Sequence, residues 1–187
     1  MIPLKRIIFG AIVLIAGVSS AQTPKDKVYI HISGDCGLVL NSDQDRKTGL
    51  GSTISFLIPD NWLLSNERNY FTLGVKGLNN PVYKGKFISS INNNSLDAFN
   101  YFQFLAGYRF CERIPENGWY FEYRLGLTMF DLNFNNYAFD FSPAFGYVYH
   151  KFDFSIFGDL NAAAANTVVG KNEFYTLGVS IGYDIGL

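Results

Sequence analysis

The stretch Gly118-Trp119-Tyr120-Phe121-Glu122-Tyr123-Arg124-Leu125-Gly126-Leu127-Thr128-Met129-Phe130 decides how this chain is read. Taking every second residue gives Trp119, Phe121, Tyr123, Leu125, Leu127 and Met129. The other set is Tyr120, Glu122, Arg124, Gly126 and Thr128. The first set is apolar or aromatic throughout, and the second carries both charges. Successive side chains of a strand point to opposite faces, so the pattern predicts a strand with one apolar and one charged face. A soluble barrel turns the apolar face inward, whereas a membrane barrel turns it outward.

Seven further segments alternate in the same way: Lys27 to Leu40, Thr48 to Ile58, Asn69 to Leu78, Phe99 to Cys111, Tyr137 to Tyr149, Lys151 to Asn161 and Glu173 to Leu187. The predicted fold is therefore all-β, an eight-stranded antiparallel up-and-down barrel. The connections between them alternate in character. With both chain ends on the periplasmic side, Glu112 to Asn117 and His150-Lys151 become periplasmic turns. The Asn79–Ala98 and Ala162–Asn172 segments then become outer loops, the usual asymmetry of outer-membrane barrels. Pro59 to Arg68 is longer than that asymmetry prefers, and its Trp62, Leu63 and Leu64 suit a membrane interface. Val82 to Ile91 reads as a hairpin arm within the long outer loop. Pro143 falls inside the sixth strand, where a closed barrel has no free edge, so a bulge or kink is expected there.

Lys5 and Arg6 precede the apolar run Ile7 to Gly17, and Ser19-Ser20-Ala21 follows. That is the layout of a cleaved signal peptide at residues 1–21, leaving one domain at 22–187. The run is too short to span a bilayer as a helix, which takes ~20 apolar residues. The whole chain has a net charge of −1, which becomes more negative once Lys5 and Arg6 leave. No basic tract points to nucleic acid. Cys36 has apolar parity and Cys111 polar parity, so no disulfide is expected between them.

Composition chooses between the two barrels. Asp35, Lys76, Arg109, Glu122, Arg124, Asp140, Asp153, Asp159 and Asp184 all fall on the polar face, drawn from most of the strands. Aromatic residues make up 17% of the chain, mostly on the other face. An eight-stranded barrel is only just wide enough for its interior side chains to fill, so it cannot hold that many rings. Small residues such as Gly107, Gly126, Gly146, Gly178 and Gly182 suit the interior better. The rings therefore face lipid. Tyr108, Trp119, Tyr147, Tyr149 and Tyr183 fall near the periplasmic strand ends, where an aromatic girdle belongs.

The signal peptide, the run Phe145-Gly-Tyr-Val-Tyr-His-Lys-Phe-Asp-Phe-Ser-Ile-Phe157 and the closing Tyr175-Thr-Leu-Gly-Val-Ser-Ile-Gly-Tyr-Asp-Ile-Gly-Leu187 carry a resemblance. The chain resembles the small outer membrane β-barrel proteins common in Bacteroidetes, similar in architecture to the eight-stranded OmpX and OmpA barrels. The likeness covers the whole mature chain as a pattern, without one specific motif. It implies a porin-like cell-envelope barrel in the bacterial outer membrane, surrounded by lipid and lipopolysaccharide. The barrel-insertion machinery is an implied partner. Such proteins often end in an aromatic residue that this machinery is thought to read, whereas this chain ends in Leu187.

Chemistry is sparse. His31, Ser33 and Asp35 share the lumen face of the first strand and hold the parts of a Ser hydrolase. A His-x-Ser on a barrel strand resembles outer-membrane lipid A deacylases. The plainer reading is polar lumen residues bonded to their neighbours, because alternate residues of one strand do not converge. His31 and His150 make no metal cluster by spacing. No metal or cofactor is expected. Arg109, Glu122, Arg124, Asp140 and Asp153 read as an ion-pair network filling the lumen, or else as a narrow ion path. The leading expectation is a non-enzymatic barrel presenting loops, chiefly Asn79–Ala98, to an external partner for adhesion, envelope integrity or partner binding. A lipid-modifying hydrolase, a soluble lipocalin-like binder and a narrow channel are the alternatives.

Overall fold

The computed structural model describes residues 27–40, 48–61, 68–80, 99–112, 117–130, 137–163 and 173–187. Eight strands run in chain order: β1 (Tyr29–Val39), β2 (Thr48–Pro59), β3 (Asn69–Asn80), β4 (Phe99–Cys111), β5 (Asn117–Phe130), β6 (Tyr137–Tyr149), β7 (Phe152–Ala163) and β8 (Glu173–Gly186). Each pairs antiparallel with the next, and β1 closes on β8 from Tyr29↔Gly186 to Val39↔Thr176. The Leu187 N–H donates to the Val28 carbonyl at 2.9 Å, which completes the seam. The expected signal peptide, the Trp62–Leu64 stretch and the Val82–Ile91 arm lie outside the described residues.

Strand alternation sorts the side chains as the sequence pattern requires. Leu125 is 58% exposed, Ile181 61% and Phe139 66%. Glu122, Lys76, Asp153, Asp159 and Asp184, by contrast, are almost wholly enclosed. An isolated charge taken out of water is costly, so this arrangement is stable only if the interior charges find one another.

Some residues depart from simple parity. Tyr108 shares its strand's outward parity but is only 3% exposed. The rings of Phe71, Phe110 and Tyr123 surround it, and its hydroxyl donates to Asp60 just beyond β2. It therefore differs from Trp119, Tyr149 and Tyr183, which are exposed near the same barrel end. Val28 and Met129 carry the outward parity of their stretches and are also buried. Inside, Tyr29, Leu57 and Tyr70 form an apolar cluster at the end where β1 begins and β8 finishes, with Cys111 packed against it. Cys36 and Cys111 are both free.

The bulge expected at Pro143 is absent. Phe141↔Leu160 and Ala144↔Phe157 keep one register, and only the two rungs between them are missing. Proline has no N–H to give the ladder, so the pairing opens locally without inserting a residue. On the other side, Pro143 still opposes Tyr123.

The β1–β8 seam is close. A Cβ built on Gly182 would stand 2.6 Å from His31 Cε1, 2.9 Å from the Ile32 carbonyl oxygen and 2.9 Å from Ser33 Cβ. Gly182→Ala must push both the imidazole and backbone, and overpacking of this kind costs ~1–3 kcal/mol. Urea unfolding of the refolded barrel should show a lower midpoint for this variant.

Candidate functional site: the charged lumen

Arg109 on β4 stands opposite Glu122 on β5 in the strand register, so the pair forms across one rung. Its Nη2 and Nε both lie 2.9 Å from Glu122 Oε2. The same guanidinium reaches across the lumen to Asp153 Oδ2 at 3.2 Å and Asp184 Oδ2 at 3.8 Å. Its face lies 4.0 Å from the centre of the Tyr120 ring, whose hydroxyl donates to Asp153 Oδ1 at 2.8 Å. A planar guanidinium with five donors suits this convergence better than a point charge would. Arg124 stands 3.6 Å from Glu122 Oε1 and donates to Ser142 Oγ at 3.4 Å.

A second layer lies further along the barrel. Lys76 Nζ is 2.7 Å from Asp159 Oδ2 and sits 3.3 Å above the Phe157 ring. Ser142 donates to the other Asp159 oxygen at 2.7 Å. Asp140 accepts a hydrogen bond from Gln103 Nε2. It therefore sits in an amide–carboxylate cluster, with no Lys or Arg salt bridge among the described residues. Of the five residues expected in the network, Arg109, Glu122, Arg124 and Asp153 meet one another. Asp140 stands apart.

His31, Ser33 and Asp35 are all buried on the lumen side of β1. His31 Nδ1 lies 2.7 Å from Asp184 Oδ1, its direct partner across the seam. Ser33 donates its hydroxyl proton to Asp35 at 3.0 Å. Asp35 also accepts from Thr53 at 2.5 Å and Ser180 at 2.6 Å. A nucleophilic serine needs its proton directed at a base. Here the imidazole and the hydroxyl face different carboxylates, so the three residues serve cross-strand bonding rather than a relay.

The fold gathers a set that linear spacing did not reveal. Ligand atoms of His31, Asp153 and Asp184 lie within 4.8 Å of one another, a spacing able to hold a metal ion. Arg109 is salt-bridged to both carboxylates and supplies positive charge there. Apolar lumen residues were also missed, notably Leu57, Leu105, Val148 and Phe157. Phe157 was detectable as the one ring on the polar parity of β7. A cavity of about 10 Å³ lies among His31, Lys76, Arg109, Glu122 and Arg124.

No family model and no curated protein matches the chain. Among solved structures it is similar to Ail, the attachment invasion locus protein of Yersinia pestis, with a TM-score of 0.51 and 14% sequence identity. The match covers 86% of this chain and 99% of that one. At that identity the likeness is one of fold.

The Lys76–Asp159 pair gives the cleanest energetic test. Lys76→Met leaves a buried carboxylate without its cation, at a cost of ~3–5 kcal/mol. Replacing both partners, as Lys76→Met with Asp159→Leu, should restore most of that loss in the same urea titration.

Proposed function

We propose that this protein is a non-enzymatic outer-membrane barrel that displays its outer connections, chiefly the segment between β3 and β4, to a partner outside the cell. The observation that carries the reading is the inverted polarity. Large apolar side chains cover the outer wall, while the buried charges lie within. Water on both faces would leave the outer belt without a reason, whereas hydrocarbon around a closed barrel accounts for both faces. The longest connection, 81–98, leaves the end opposite the two-residue β6–β7 turn, as loop asymmetry requires. The fold likeness to a protein named for attachment and invasion supports adhesion as the use of that loop. Membership among the Bacteroidetes outer-membrane barrels, export by residues 1–21 and insertion by the barrel-assembly machinery belong to the same reading.

The lumen in this reading is a plug. A cavity of about 10 Å³ holds about one water-sized sphere, too little for a hydrated ion to pass. Planar-bilayer recordings of the pure barrel should show no discrete conductance steps. Steps would move the reading to a narrow channel.

The membrane claim has two direct tests. Unboiled detergent-extracted protein from the membrane pellet should run at a different mobility from boiled protein on a denaturing gel. Leu125→Arg places a charge on the exposed belt and should cost ~2–4 kcal/mol when unfolding is measured from lipid vesicles. Soluble, unshifted protein that tolerates the arginine would overturn the proposal in favour of an aqueous barrel.

A further inference from the structure

The turn between β6 and β7 consists of His150 and Lys151 alone, with φ of 46° and 74°. Positive φ at both central residues marks the hairpin turn for which Asn-Gly is the low-strain choice. Two non-glycine residues held there occupy a sparsely populated region of backbone space. Strain that persists in this way points to a use for the side chains that impose it. The turn is also pinned. The His150 N–H donates to Asn117 Oδ1 at 3.1 Å, and the Lys151 carbonyl accepts from the Asp184 N–H at 2.8 Å. The His150 and Tyr149 ring centres are 4.2 Å apart. His150 is exposed and Lys151 partly so.

Just along the outer wall from this turn lies an apolar groove of about 390 Å³. Gly146, Ser155 and Ser180 are partners in one row across β6, β7 and β8 and form its floor. Trp119 bounds one end, stacked on Phe145 with ring centres 5.3 Å apart. Phe154 lines it too, three residues along β7 from Lys151, or roughly 10 Å at strand rise.

Resting on the membrane-spanning reading, we propose that this surface holds one anionic phospholipid of the periplasmic leaflet. Lys151 supplies the charge for the phosphate and His150 an N–H donor, while one acyl chain lies in the groove. Two arguments select this occupant. The groove is continuous with the belt that faces hydrocarbon, and the cationic turn lies three residues along β7 from its lining residue Phe154. A tight turn of Asn-Gly would close the hairpin with less strain and offer no charge.

Trp119 is a built-in reporter, since the chain's other tryptophan is Trp62. Barrel carrying Trp62→Phe is reconstituted into phosphatidylcholine vesicles holding a minor fraction of phosphatidylglycerol with brominated acyl chains. Bromine quenches indole at contact. Trp119 should be quenched as though this lipid were enriched about fivefold over its bulk fraction, the increment expected from one lysine at an anionic surface. Brominated phosphatidylcholine should quench only as its bulk fraction dictates. His150→Asn with Lys151→Gly keeps the turn and should return phosphatidylglycerol to its bulk value. Equal quenching by the two lipids, or enrichment that survives the double substitution, overturns the site. Trp119 shielded from both lipids assigns the groove to a second copy of the chain and overturns it too. Protein that does not float with the vesicles removes the membrane reading itself, an outcome seen before any fluorescence is read.

Discussion

Arg109 is the side chain on which the interior depends. Its guanidinium is the common partner of Glu122, Asp153 and Asp184, so one residue of β4 ties together β5, β7 and β8. Out of water, each of those carboxylates is tolerable only because a cation stands beside it. Lys76 does the same between β3 and β7, and Asp35 gathers hydroxyls from β2 and β8 around β1. The wall's backbone ladder sets strand order, and these cross-lumen bonds hold the opposite walls at one separation. Tyr29, Leu57 and Tyr70 add an apolar cluster inside the end where β1 begins and β8 finishes.

Much of this was legible in the linear pattern, and for a simple reason. Period-two alternation depends only on neighbours along one strand, so β5 could be read from Gly118 to Phe130 without knowing what lay beside it. All eight strands and the polarity of their faces follow from that local signal. Which charges meet does not. Arg109 and Asp153 are 44 residues apart and Lys76 and Asp159 are 83 apart, and both pairs depend on where strands sit around the circle. Asp140 looked equivalent to Asp153 by parity, yet register sets it beside Gln103 instead. Pro143 looked like the place for a bulge or kink. The ladder simply lost its rungs there, because the flanking register was held by the other bonds of β6.

The hydrolase alternative shows how proximity and orientation separate. His31, Ser33 and Asp35 share a face, as parity demanded, but His31 is recruited by a carboxylate across the seam, whereas Ser33 donates to Asp35 on its own strand. His31 faces Asp184, while Asp35 draws three hydroxyls. Catalysis needs a nucleophile aimed at a base within hydrogen-bond reach. A stiff barrel strand instead aims alternate side chains in parallel. Chemistry on such a scaffold would have to be assembled from different strands, as the Arg109 cluster is assembled here for charge balance.

The seam carries a kinetic implication. His31 and Asp184 are separated by 153 residues, and Asp35 and Ser180 by 145. Neither contact exists until the first and last strands have met, so the most sequence-distant contacts are also the ones that cap the buried charge. An unclosed sheet would leave His31 and Asp35 without their β8 partners Asp184 and Ser180. Intermediates short of closure are therefore poorly stabilised, and ring formation becomes a nearly all-or-none step with a high entropic barrier. The same barrier acts in reverse. A barrel that has closed must break its lumen bonds and its seam together before a strand can leave, which makes slow unfolding a property of the circular topology itself.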